Sequence, residues 1–579
     1  MICLREKLTA ILIPTRYRSP RRIFALAAVL AFTLAAATPS AEGRAKHKRW
    51  YVQAARSAHG KGSRRAPFNS LAAVERASRA GDTIVVVPSS RAAAPLDGGI
   101  ALKPHQTLLG GGPRVLGSRR GRLPRIENTR AARHSGDAVV LARGATVANL
   151  VIGPSGRGGI YGMNTTGVRV VGNDVSRQNT SCTTGFVVLP FILPTTAPGV
   201  GVPINGLPNG WAGIMIDANR GSGRVTVRKN FVHDADCGDG IDVRLSGTAR
   251  LHAGIGGNRV TRLKQGSKFM SLLSIGMQTR GSARLSADLD RNSETEIGSF
   301  NADSEGVFAN LADRSHLQAH VTRNHWRNGI GGFSVNGMEM VITSGSPVAR
   351  MRIAHSTFSD SPGDIIEEIN FGTRATMSLD LDHVVATRSN GPGNTEVIPG
   401  NNGDCLVMGH TGAGDSTSLR MRYTQLTDCV NNGLTVASGV SNGSKGPARS
   451  LRFDVDHSRI TGNRGDNVRV VTETELTELI GKVQNTNLVG AGQYAVAFEQ
   501  LTGSTARSTL DFGGGARGSA GRNCIAGGQS ADVEAAGFSA VARANWWGHA
   551  GGPAPGRVIA AGGSVDVGNP LAHAPAGTC

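Results

Sequence analysis

Hydrophobic and polar residues alternate along most of this chain, and a bend interrupts the alternation at recurring intervals. The stretch Val225 to Val243, VTVRKNFVHDADCGDGIDV, is the clearest copy. Val225 and Val227 lie two apart and therefore point to one side of a strand. Asn230 and Val232 follow, and after Asp-Ala-Asp-Cys-Gly the chain enters a second strand, Gly240 to Val243. The short Asn amide tolerates left-handed backbone, which assigns Asn230 to the bend itself. The same position recurs at Asn149, Asn173, Asn258, Asn292, Asn324, His355, His383, Tyr423, His457, Asn485 and Asn523. Second strands recur after it as DGIDV, GIGGFSV, DIIEEI, NGLTV and DNVRV.

One such unit is too small to bury its own apolar side. Stacked units share a core, and each strand pairs with its counterpart above and below. The expected fold is therefore all-β, a single solenoid of parallel strands spaced about 4.8 Å apart and on the order of 60–70 Å long. Asn side chains aligned along the axis are expected to hydrogen-bond to one another. His355, His383, Tyr423 and His457 would interrupt that ladder, and they read as turn residues rather than metal ligands.

Outside the repeat the pattern changes. Residues 1–37 combine a basic start with the apolar run Ile23–Ala37 and a small-residue cleavage site, which reads as a signal peptide. Arg21-Arg22 is similar to a twin-arginine export signal. Residues 38–66 read as a basic linker with a first strand at Trp50–Val52, and residues 67–579 as the repeat body. Leu71, Val74 and Ala77 share a helical face, so a cap helix is expected over about residues 70–80, with Asn69 or Ser70 capping it. Gly185–Gly213 is apolar but carries five prolines, which exclude a helix and point to a loop insertion folded over the flank, with Trp211 walling a cleft. Thr472–Leu479, TETELTEL, breaks the alternation and reads as a short helix or loop. Residues 523–579 read as the closing segment. No barrel-forming segment is expected after the repeats.

Composition refines this picture in two ways. Of the seven cysteines, Cys3 belongs to the leader and six remain, an even number for an oxidising compartment. Cys182 and Cys237 occupy similar places on neighbouring turns, and Cys405 with Cys429 and Cys524 with Cys579 are further pairs; six buried thiols are the alternative. The net charge of +21 falls almost wholly in the first 150 residues. That distribution argues against a nucleic-acid groove along the body. It favours a basic end, where Arg114, Arg119, Arg120, Arg122, Arg125, Arg130 and Arg133 are opposed in the sequence only by Glu127.

PFNSLAAVERASRAGDTIVVVP, the following GGIALKPHQTLLGGG, and Asn545-Trp546-Trp547-Gly548 near the C-terminus resemble right-handed parallel β-helix proteins of the pectin-lyase-like superfamily. The resemblance implies a right-handed coil and export. It says little of reaction, because one fold hosts many activities. Cys237-Gly-Asp-Gly-Ile-Asp242 is similar to a polygalacturonase motif, which makes Asp239 and Asp242 candidate catalytic residues, although that family's remaining motifs are absent or misplaced. Asp234, Asp236 and Asp239 could hold Ca²⁺ through oxygen ligands. Lys264 and Lys268, near the next bend, could then remove a proton from a uronate sugar as in a lyase. Ordinary turn chemistry explains the same aspartates.

The leading functional expectation is an exported or cell-envelope β-helix that presents a long face to polysaccharide or an anionic envelope surface, with no catalysis assigned to it. The mature chain is expected to hold no transmembrane segment. The competing expectation is a Ca²⁺-dependent polysaccharide lyase, or a glycoside hydrolase, acting on uronic-acid polymers.

Overall fold

The computed structural model describes residues 47–54, 59–89, 95–111, 123–130, 133–187, 208–264, 272–298, 304–330, 335–389, 403–410, 413–438, 448–472, 476–500 and 507–579. The expected signal peptide lies outside them. Within the unit His47–Cys579 the described residues form three long sheets of 17, 13 and 15 strands, in which every strand pair is parallel. The chain visits the three sheets in turn, as in Ser222–Arg228, Phe231–Ala235 and Ile241–Leu245. Each such coil lies on the next in register: Val225 pairs with Ala253, and Ala253 with Ala287. This is a parallel β-helix.

The alternation puts Val225, Val227, Val232, Ile241 and Val243 into one interior file, all fully buried. Thr146–Ala148 and Val151–Ser155 are strands on either side of the bend at Asn149. Leu476–Gln484 is a strand in register with Ala448–Asp456, which corrects the helix-or-loop reading of TETELTEL from Leu476 onward.

At the bend the structure separates two positions that the sequence reading merged. The left-handed residue is Lys229 (φ 56°), Arg291 (55°) or Arg323 (54°), and Asn230, Asn292 and Asn324 come one residue later, buried. The Asn173 backbone N–H and its Nδ2 both donate to Asn230 Oδ1 at 3.0 Å, and Asn230 donates in the same way to Asn258. This ladder is therefore internal and satisfies the backbone at each turn. Where Asn is lost, Ser356, Ser458 and Thr486 supply the accepting oxygen, and the ladder is interrupted at Val384, whose side chain has none.

His355, His383, Tyr423 and His457 hold the left-handed position instead. Their rings stack outside the helix, with centroids 5.0, 4.8 and 5.2 Å apart in succession.

The helix α1 spans Leu71–Ala77 and buries Leu71 and Val74. Ser70 is its N-cap in extended conformation but makes no side-chain cap bond, contrary to expectation. Three disulfides, Cys182–Cys237, Cys405–Cys429 and Cys524–Cys579, span Cα separations of 5.1, 5.6 and 5.8 Å and fit an extracellular or periplasmic compartment. Among the described residues no helix is long and apolar enough to cross a membrane.

The basic N-terminal run is less open than its sequence implied. Arg114, Arg119, Arg120 and Arg122 lie outside the described residues. Arg125, Arg130 and Arg133 are paired with Glu127, Asp97 and Glu75. Two of these carboxylates come from earlier coils, which a count along the sequence does not see.

Candidate functional site

The third sheet carries unusual chemistry on the side facing away from the core. In the strand Ile241–Leu245, Ile241, Val243 and Leu245 point inward, so Asp242 and Arg244 point outward. Outward polar residues on a β-helix are ordinarily solvated, yet Asp242 is fully buried. So are its outward counterparts three and four coils on, Glu339 and Glu367, together with the nearby Glu305.

Asp239, in the turn before this strand, has a structural task. Its carboxylate accepts the Leu273 N–H of the next coil at 3.0 Å and the Asn209 side-chain amide. Asp137, Asp364, Asp404 and Asp466 repeat that task on other coils, accepting from Gly158, Asp404, Asn432 and Tyr494. Turn chemistry therefore accounts for Asp239's position.

Asp242 has no such partner. Neither carboxylate oxygen makes a hydrogen bond of good geometry, and its nearest polar neighbours are the Asp239 carboxyl and the Gly276 backbone. It leans over Gly276, where an added Cβ would lie 2.5 Å from Oδ1. Burial first, and then Asp242's own charge, pushes Asp239 well above the carboxylate range; burial raises Asp242 as well, against the opposing pull of Asp239 and Arg244. The two carboxyls titrate as a pair.

An aromatic corner stands beside this pair. The insertion opens with an antiparallel pairing of Thr184–Val187 with Pro208–Gly210, and residues 188–207 lie outside the described residues. Its base is held by the Cys182–Cys237 disulfide and by Asn179, which donates to Cys237 O at 2.8 Å. Trp211 follows directly and meets Tyr161 edge-on, with centroids 5.3 Å apart. The Arg157 guanidinium lies 4.3 Å from the Trp211 ring and 5.0 Å from Tyr161, and Arg244 lies 5.6 Å from Trp211. Asp137 and Asp217 fix these arginines at 2.6 and 2.5 Å. Tyr161, Met215 and Asp242 form one register file, with Met163, Asp217 and Arg244 beside it. Trp211 is only 7 % exposed and its indole N–H has no partner, whereas Tyr161 is half-buried and Met163 exposed.

The other candidates are dispersed. Asp234 is held ionised by Arg262 (2.5 Å), then by His233 (2.6 Å), so its carboxyl sits well below the usual range. Asp236 is exposed, unlike Asp239. Among the described residues no three His, Cys, Asp or Glu side chains gather as metal ligands, so Asp234, Asp236 and Asp239 do not form a Ca²⁺ cage. Lys264 is exposed at the end of a strand of the second sheet, whereas Asp242 lies on the third, and Lys268 lies outside the described residues. Sequence reasoning missed Tyr161, Arg157, Asp217 and Arg244. The only signal was the D-V-R alternation after Gly240, which sets an acid and a base on one outward face.

No known family and no curated protein matches the chain. Among solved structures it is similar to a GH136 lacto-N-biosidase from Eubacterium ramulus, at 9% identity over 91% of this chain and 68% of that one, with a TM-score of 0.32. It is also similar to pectate lyase Pel9A, at 12% identity over 83% and 82% with a TM-score of 0.21. A rhamnogalacturonan lyase aligns at 9% identity over 80% and 84%, with a TM-score of 0.18. The coil architecture rests on the strand ladders themselves.

Proposed function

We propose that this chain is an exported, right-handed parallel β-helix, closed at its N-terminal end by α1, that binds polysaccharide on the outer face of its third sheet. One observation carries the reading: the Tyr161–Trp211 corner, flanked by Arg157 and Arg244. Aromatic faces pack on the apolar faces of sugar rings, and fixed guanidiniums donate to hydroxyls or carboxylates. The half-buried Tyr161 is the accessible ring of that corner. Retention on a panel of immobilised neutral and acidic polysaccharides tests it. Tyr161→Ala is expected to weaken binding to the retained polymer about tenfold, with an unchanged thermal transition. Undiminished retention of the variant, or no retention of the wild type on any polymer, removes the reading.

The Asp239–Asp242 pair supports a second reading, glycoside hydrolysis. In a pair of carboxyls that shares one proton, the protonated member is suited to protonating the glycosidic oxygen as its bond to the anomeric carbon breaks, and the ionised member to taking the proton of the water that adds there. This favours hydrolase over lyase, whose described base, Lys264, lies on another sheet. New reducing ends from the bound polymer are expected with wild type and not with Asp242→Asn. Reducing-end release by the variant at the wild-type rate sinks this reading and leaves binding intact.

A further inference from the structure

The outer face of the first sheet holds an uncompensated array of arginines. In the strand Ser222–Arg228 and its successors, outward residues form files that run along the coil axis. Arg250 pairs in register with Arg284, and Arg284 with His316. The neighbouring file carries Arg224, in register with His252, and four coils on from Arg224 it carries Arg350, in register with Gln318. The turns leading into these strands add Arg220 and Arg314. All six arginines are exposed, and none has a carboxylate partner among the described residues.

The carboxylates that border the array are occupied elsewhere. Asp288 sits between His252 and His320, and Asp313 accepts the Gly281 N–H at 2.7 Å. His316 sits amid the array, where burial and then the charges of Arg284 and Arg350 disfavour its protonation. Like charges directly opposite on adjacent strands destabilise a sheet. Arg250 and Arg284 therefore carry a cost that no contact in the fold offsets.

We propose that this face docks side-on to an anionic lipid surface. The argument is charge complementarity together with shape. Coils spaced about 4.8 Å and files about 7 Å apart spread the cations over a two-dimensional field about 20 Å long. From Ser222–Arg228 to Ala448–Asp456 the register runs without a bulge, so the described strands form a continuous face. A single polymer chain is gripped by a groove with stacking rings, and the six-arginine array contains no aromatic residue. A field of arginines on a continuous face matches a plane of anionic headgroups, where each cation strengthens adsorption.

The test is co-sedimentation of the full chain with vesicles of phosphatidylglycerol and phosphatidylcholine, and of phosphatidylcholine alone, across a salt series. The variant changes Arg224, Arg250, Arg284 and Arg350 to Gln. A charge-matched control changes Arg259, Arg327, Arg464 and Arg522 to Gln, and both retain every basic residue near the N-terminus. Wild type and control are expected to bind the anionic vesicles and to release them as salt rises, with the variant weakened at least about 100-fold. Equal loss in variant and control, binding to neutral vesicles, or capture by soluble heparin without vesicle binding overturns the proposal. Tyr161→Ala is expected to bind vesicles as wild type does, so this surface and the polysaccharide site fail independently.

Discussion

The outer faces of the first and third sheets are built by the same alternation and end with opposite electrostatics. On the first sheet Asp290 meets Arg323 at 2.6 Å, Asp382 meets Arg352 and His383 at 2.9 Å, and Asp456 meets His457 at 2.8 Å, with water at hand. On the third sheet Asp242, Glu305, Glu339 and Glu367 are at most 2 % exposed. An outward carboxylate is thus a solvated surface charge on one face and a group withdrawn from water on the other. What lies over a face, and not the strand pattern, decides its chemistry.

The largest effect that can break this contrast is a pH dependence. Burial raises the Asp242 carboxyl from 3.8 to about 7. As pH rises through that window the unfolded chain gives up its proton before the folded chain does. The contribution of this group to stability is therefore full below about 3.8 and falls with a slope of up to about 1.4 kcal/mol per pH unit until the folded group ionises. Asp242→Asn is expected to flatten this part of the profile, measured by denaturant unfolding from pH 4 to 8. Asp234 has the opposite sign: Arg262 holds it ionised, so its contribution is present above 3.8 and is lost in acid. A wild-type profile with no decline toward neutral pH would place Asp242 among the solvated carboxylates.

Two glycines sharpen the same contrast with a smaller effect. Gly276, on the third sheet, leaves room for Asp242, and a Cβ there meets Oδ1 at 2.5 Å. Gly276→Ala is expected to cost about 1–3 kcal/mol, as overpacking does in a closed interior. Gly254 lies on the outer face of the first sheet, where a Cβ would find nothing nearer than 3.8 Å. Gly254→Ala is expected to change stability by no more than about 0.5 kcal/mol. Equal costs at the two positions, read as midpoint shifts in denaturant, would erase the distinction between the faces.

Much of the fold was legible because the period of two, the recurring bend and the cysteine spacing are all local signals. The bend was read correctly at Asn149 and Asn485 and was misread by one residue at Asn173, Asn230, Asn258, Asn292, Asn324 and Asn523, for a physical reason. Asn is favoured both in left-handed backbone and in an amide ladder, so its letter alone does not say which slot it fills. Lys229 and Arg323 gave no sign of their left-handed backbone. At the site, Asp239, Asp242 and Trp211 were visible from the turn motif and the insertion. Tyr161 and Arg157 stand fifty or more residues before Trp211 and Arg244 is over thirty after it, and only the stacking of coils brings them together. Burial of outward carboxylates has no signature in a strand pattern, since Asp reads the same whether covered or wet. The strand at Leu476–Gln484 was obscured because Glu478, which faces out, looks like a break when its neighbours' register is unknown.

The unbroken register has a consequence for how such a molecule can change in size. On the first sheet Arg284, His316 and Val348 are equivalent, and on the second so are Ser293, His325 and Thr357, each one coil apart. Excision of residues 316–347 would therefore set Val348 against Arg284 and Thr357 against Ser293 without moving any side chain to the wrong side. Length behaves here as a parameter that duplication or loss of whole coils can adjust, while every surviving position keeps its address on the surface.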